Sequence, residues 1–459
     1  MKDGINFATE NIPALFKKMF FPTVLGMMIS SLFVITDGAF VGRGVGSDAL
    51  AAVNIVSPIW LLASGIGLMF GMGGSVVASI QLSRGKVKTA RINMTQSILV
   101  SSLFIFLNSI LILVFLNPIL QFLGCSERLL PYARAYSWGF IPFMTFNALI
   151  CSGEFFVRLS GAPKYAMLCS ILSSVLNIIL DYLFIFVFRL GVFGAAMATS
   201  IGSVVSAVMI IAYLSRQKSM LHFIRIKTHK RSRQLTVRNV GYMCKLGLSS
   251  FLCETAVSCM MLCGNFVFMR CAHEDGVAAF SIACYFFPII YMLYNSIAMS
   301  AQPIISFNYG SGAKHRVKMA FSLSVKVALA CGIVICLLTA AFSRQIVSLF
   351  IAEDFSAFAI ASKGFPLFAL GFIPFAVNIV TISYLQSVEL TKKATVHTIL
   401  RGFVFMVVSF FALSRLFGIN GAWLAVPASE TMTFIVLVCL CLAKKKHDKA
   451  LRQAHMLAH

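Results

Sequence analysis

Apolar runs long enough to cross a bilayer recur twelve times along this chain, and no hydrophilic stretch between them is long enough to form a soluble domain. A crossing helix needs roughly 20 apolar residues. The runs lie near 13–37, 49–82, 92–116, 131–158, 164–187, 191–214, 241–269, 277–309, 317–342, 360–387, 394–415 and 419–443. Only 12% of the 459 residues are charged and the mean hydropathy is +0.90; soluble domains average about 25% charged. In lipid each backbone N–H and C=O must be satisfied internally. The expected fold is therefore an all-α membrane protein with twelve transmembrane helices. The first run starts near Pro13 and continues too far for a cleavable signal peptide.

The net charge of +23 could suggest a nucleic-acid partner, but its placement argues against one. Sorted by the side on which each loop falls, 30 Lys and Arg lie on one side and 8 on the other. Arg401 is counted among the 30, with Lys392 and Lys393 in the loop between spans ten and eleven. Such asymmetry is the positive-inside signal. It predicts two cytoplasmic termini, basic loops against anionic lipid, and no nucleic-acid partner.

The chain is also duplicated. At an offset of 227, DALAAVN (48–54) meets GVAAFSI (275–281), and SIQLSRGKVKTAR (79–91) meets SFNYGSGAKHRVK (306–318). LGVFGAAMA (190–198) meets FGINGAWLA (417–425). The pentapeptide GFIPF occurs at both 139–143 and 371–375, an offset of 232. Each half holds six spans, an even number, so both insert in the same orientation and form parallel repeats. The expected organisation is an N-terminal lobe over 1–215, a basic linker over 216–240, a C-terminal lobe over 241–443 and a tail over 444–459.

Acids inside such spans are costly and mark function by default. Asn177 and Asp181 sit four residues apart within SILSSVLNIILDYLFIFVF, on one face of a helix. Asp37 ends the apolar run FPTVLGMMISSLFVIT. Hard oxygen ligands suit Na⁺, and the same carboxylates bind protons. Two carboxylates in one desolvated site repel and titrate as a coupled pair. The competing reading is a structural polar pair locked by Asn177 or a hydroxyl.

Three stretches resemble the multidrug and toxic compound extrusion (MATE) transporters of prokaryotes. They are FFPTVLGMMISSLFVITDGAFVGRGVGSDALAAVNIVSPIW, RLSGAPKYAMLCSILSSVLNIILDYLFIFVFRLGVFGAAMATSIG and AQPIISFNYGSGAKHRV. The resemblance runs from about Pro13 to Ala443. It implies two six-helix lobes around a V-shaped central cleft, and export by rocking alternating access driven by inward H⁺ or Na⁺. It implies a coupling site of Asp37, Asn177, Asp181 and Thr199 with a backbone carbonyl near Ala195, and a hinge at Pro22. At the 227 offset these acids fall on Gly264 and Val408, so coupling is expected in the first lobe alone. The expected setting is the bacterial inner membrane, the expected state a monomer, and no cofactor is required beyond the coupling ion.

Amphipathic cations bind aromatic faces and soft Met surfaces. Candidate substrate contacts are Tyr136, Met144, Tyr285, Tyr291, Tyr294 and Asn378, with the acids Glu254 and Glu430. Glu154 precedes Arg158 by one turn and reads as an i,i+4 ion pair. Glu389, beside Lys392 and Lys393, reads as structural. The two GFIPF copies, with Pro142 and Pro374, suggest kinks that could serve as gates, against ordinary helix bending. An enzyme is disfavoured, because no Gly-x-Ser-x-Gly or His-Glu-x-x-His motif is present, and a nucleotide-driven pump because no P-loop is. The alternative within transport is a flippase or exporter of an endogenous metabolite or lipid-linked precursor.

Overall fold

The computed structural model describes residues 5–217, 219–226, 230–348, 350 and 356–457, and the described residues contain no strand. Parts of the expected linker (218 and 227–229) and the last two residues of the tail lie outside them. The helices are α1 (Ile12–Gly44), α2 (Ser47–Ser83), α3 (Val87–Val114), α4 (Leu116–Phe122), α5 (Leu130–Phe140) and α6 (Met144–Leu159). Next come α7 (Pro163–Tyr182), α8 (Gly191–Ser215), α9 (Lys230–Gly310), α10 (Lys314–Ala341) and α11 (Ser343–Ser348). The last are α12 (Ser356–Ala369), α13 (Phe372–Ser387), α14 (Thr391–Ile399) and α15 (Phe405–Leu457).

Among the described residues, nine stretches are long and apolar enough to cross a membrane, and the bent pair α12–α13 makes a tenth. Two of the nine are double: α9 breaks at Ala272 and His273, and the stretch through α14 and α15 breaks at Gly418. Ten plus two gives the twelve crossings expected.

The turns show the duplication at backbone level. Left-handed φ occurs at Gly46 and His273, at Gly85 and Gly312, and at Gly191 and Gly418, each pair 227 apart. Gly161 and Glu389, 228 apart, form a fourth pair. Left-handed backbone favours glycine because it has no Cβ. His273 and Glu389 hold this conformation without that freedom.

Both GFIPF copies break their helix. In the first, α5 passes through a 3-10 turn at Ile141–Phe143 before α6. In the second, α12 and α13 meet at a 48° bend. Proline removes one backbone N–H from the ladder, and its ring crowds the preceding turn.

The compact units do not follow the repeat boundary. One comprises the described residues of Met1–Thr255, Pro288–Ser324 and Ser383–Thr391; the other those of Ala256–Phe287, Val325–Ile382 and Lys392–His459. Within the first unit, glycines let ends of second-half helices pack on α2. A Cβ on Gly73 would lie 2.0 Å from the Met243 carbonyl, and one on Gly247 would lie 1.8 Å from that of Met69. Such small-residue crossings bring helix backbones into direct contact.

Candidate functional site

α1, α7 and α8 meet closely because glycines line their crossings. A Cβ on Gly26 of α1 would touch the Met167 Cα at 3.4 Å, and one on Gly202 of α8 would press the Ser173 carbonyl at 2.9 Å. Ser30 and Ser174 face one another across the α1–α7 contact at 3.4 Å. α1 runs past Pro22 without a break and continues to Gly44. Asp37 therefore lies two turns inside the helix rather than at its end, because no residue stops the helix before the turn at Gly46.

These contacts bring four of the expected residues together. Asn177 and Asp181, on α7, are buried, Asp181 completely. Asn177 donates its amide to the Thr199 hydroxyl on α8 at 3.1 Å. The carboxyls of Asp37 and Asp181 come within side-chain hydrogen-bonding reach of one another. Beyond that contact, Asp37 Oδ1, Asn177 Oδ1 and both Asp181 carboxylate oxygens have no hydrogen-bond donor. Each of these atoms is an acceptor. Buried polar atoms are normally paired, and a cluster of acceptors alone is chemically suited to a proton or a cation. Ala195 packs with Val41, Ile185 and Val192 in an apolar cluster beside it. A π-helical turn, Leu183–Val187, begins two residues after Asp181; such turns often mark functional sites.

Two segments of the chain, residues 22–183 and 250–419, match the sequence model of the MatE family. Together they make up more than half of the chain. The chain belongs to the MatE family. It is 25% identical over 434 residues to the multidrug export protein MepA of Staphylococcus saprophyticus, covering 94% of each chain. It is 24% identical over 457 residues to the FAD transporter of Shewanella oneidensis, covering 97% of each. One solved structure, of a multidrug resistance MATE family transporter of the MOP superfamily in its outward-facing conformation, superposes with a TM-score of 0.87. That match covers 94% of this chain and 96% of the other at 21% identity, and it speaks for the fold. MATE proteins are transporters, not enzymes, and this MATE chain is a multi-pass membrane protein.

The other candidates scatter through this MATE fold. Tyr136 packs against the apolar cluster of Val41, Ile185, Val192 and Ala195 beside the acids. Met144 is buried in the apolar core with Phe140, Ile141 and Ala148 and offers no surface to a substrate. Tyr291 donates to Glu254 at 3.1 Å, and Glu254 packs against Gly65 of α2. Tyr294 is fully buried, whereas Tyr285 is exposed and stacks on Phe350.

Asn378 and Glu430, read from sequence as separate substrate contacts, form one buried network in the second unit. The Asn378 amide donates to the Glu430 backbone carbonyl at 2.9 Å and to its carboxylate at 2.8 Å. Arg401 completes the network with a 2.6 Å ion pair to Glu430, and its guanidinium lies 4.6 Å from the centre of the Phe375 ring. Arg401 is thus not a loop cation. It sits in a π-helical turn, Leu400–Val404, and is buried. Its neighbours Lys392 and Lys393 disguised it in the sequence. The available signal was an acid, Glu430, one span further on. Elsewhere, the expected Glu154–Arg158 pair forms at 2.5 Å, and Glu389 accepts from the Tyr242 hydroxyl at 2.8 Å.

Proposed function

We propose that this MATE transporter is a secondary active exporter that antiports amphipathic organic cations against inward H⁺ or Na⁺. Asp37, Asn177, Asp181 and Thr199 hold the coupling ion, with the Ala195 segment of α8 beside them. The observation that carries this reading is the set of four buried acceptor oxygens, on three side chains, without a donor. A proton shared by the two acids, or a cation among the four oxygens, supplies what they lack. The facing carboxyls favour H⁺ as the driving ion. We place the protein in the bacterial inner membrane with both termini cytoplasmic, in keeping with the split of Lys and Arg, which stands at 29 to 8 once the buried Arg401 is left out.

In this account, loading protons onto Asp37 and Asp181 removes negative charge from the first lobe, and a cationic substrate loses its electrostatic anchor. α1 then bends at Pro22, where one ladder hydrogen bond is already missing. The binding of ion and substrate is reciprocally coupled, and the lobes rock between access states. Glu254 with Tyr291 is the second acid available to a cationic substrate. The test is efflux by cells carrying Asp37→Asn: driven export should be lost while the protein inserts normally, and wild-type resistance would refute the assignment.

A second reading, favoured by similarity to the Shewanella FAD transporter, is export of FAD or another endogenous metabolite. Competition between FAD and an organic cation for uptake into everted vesicles separates the two.

A further inference from the structure

The first unit contains an open cavity of about 280 Å³ where α3 ends and α5 begins. Leu113 and Val114 of α3, Asn117 and Pro118 of α4, and Arg134 and Trp138 of α5 line it. This end of the bundle is the one poor in Lys and Arg. Its chemistry changes with depth. Arg134 is one turn into α5, about 6 Å, and Trp138 is one turn deeper. Val114, the last residue of α3, is 69% exposed, and Trp138 is 55% exposed. Charge at the rim, an indole below it and aliphatic side chains beside it match the sequence of environments from headgroup to acyl chain.

Arg134 is the distinctive element. The nearby Arg128 is neutralised by Asp48 in a two-pronged pair at 2.7 and 2.8 Å. Among the described residues Arg134 makes no ion pair. Its Nε donates to the neutral Asn117 side chain at 2.6 Å, which fixes the guanidinium at the cavity. An arginine held in place by an amide presents its remaining N–H groups as a fork, the geometry that suits a phosphate.

We propose that this cavity binds an anionic phospholipid of the leaflet on the cation-poor face. Arg134 takes the phosphodiester, and Trp138 with Leu113 and Val114 holds the upper acyl chain. The aliphatic wall argues for lipid over free phosphate, because a soluble anion makes no use of it. The proposal is independent of the coupling site and of the direction of transport.

Tryptophan fluorescence tests it. The chain has three tryptophans, Trp60, Trp138 and Trp423. Trp423 is buried, so a Trp60→Phe background leaves Trp138 as the reporter that brominated lipid can reach. The protein is reconstituted in phosphatidylcholine bilayers containing either brominated phosphatidylglycerol or brominated phosphatidylcholine. Brominated phosphatidylglycerol should associate about fivefold more strongly, the effect of roughly 1 kcal/mol per cation near a membrane surface. Arg134→Gln should abolish the preference, Arg134→Lys should keep part of it, and Arg128→Gln should leave it intact. The Lys variant keeps the test decisive if the Gln variant misfolds. Equal quenching by both lipids in the unsubstituted protein would reduce the contact to ordinary annular lipid and overturn the proposal. Displacement of the lipid by millimolar inorganic phosphate would also overturn it, by assigning the site to a soluble anion.

Discussion

Asn177 gives its amide to the Thr199 hydroxyl at 3.1 Å, and its carbonyl oxygen, one helical turn from Asp181, is left without a donor. The hydrogen bond orients the amide, so α8 fixes the direction of the Asn177 side chain. Thr199→Val keeps the side-chain shape and removes the acceptor. Ion-driven efflux should fall roughly five- to tenfold, the loss of about one hydrogen bond. The thermal unfolding temperature in detergent should change little. Efflux assays and a melting curve on the same preparation check both halves of this prediction.

The acid pair also fixes a sign. In the proposed mechanism, protons and a cationic substrate compete for the negative charge of Asp37 and Asp181. Substrate affinity should therefore fall as pH falls and recover as it rises. Equilibrium binding of a fluorescent organic cation to purified protein across a pH series measures this. Replacing both acids with Asn should flatten the profile. If the double variant keeps the wild-type pH dependence, the coupling resides on another acid, and Glu254 is the first to substitute.

The Arg401–Glu430 pair makes a stability prediction. Both side chains are buried, and Asn378 satisfies the other carboxylate oxygen. Glu430→Gln leaves the guanidinium buried without its counter-charge, which should destabilise the second unit by about 3–5 kcal/mol. Replacing both partners together, Arg401→Met with Glu430→Leu, should recover most of that loss, because no charge is then left unpaired. A double-mutant cycle on thermal or denaturant unfolding gives the coupling.

These sites differ in how far the sequence reveals them. Asn177 and Asp181 share a helix, so periodicity alone puts them on one face. Joining Asp37 and Thr199 to them required the family resemblance, since nothing in the spacing says which helices touch; Gly26 and Gly202 decide that by how close they let the backbones come. The Asn378–Arg401–Glu430 network was missed as a unit for the same reason, because its members come from three crossings. Arg401 was misread through its neighbours Lys392 and Lys393. The repeat was plain in the sequence, and the paired left-handed turns at Gly85 and Gly312 and at Gly191 and Gly418 give it a backbone cause. The compact units were not legible, because glycine contacts such as Gly73 with Met243 carry second-half helix ends into the first unit.

That glycine contact is itself testable. Gly247→Ala would set a Cβ 1.8 Å from the Met69 carbonyl, and backbone at that distance must move apart. A transporter that alternates between states should shift toward one in which α2 and α9 separate there. Cysteines placed beside Gly73 and Gly247 should cross-link readily in the unsubstituted protein and several-fold more slowly with Gly247→Ala, at unchanged expression.

The most direct test of the coupling site is substrate uptake into everted vesicles with pH and Na⁺ gradients imposed one at a time. The account predicts that the pH gradient alone drives uptake, that an uncoupler collapses it, that omitting Na⁺ leaves it intact, and that Asp37→Asn abolishes it in correctly inserted protein. Uptake driven by the Na⁺ gradient alone would reject H⁺ as the driving ion. Full gradient-driven uptake by Asp37→Asn would contradict the site itself.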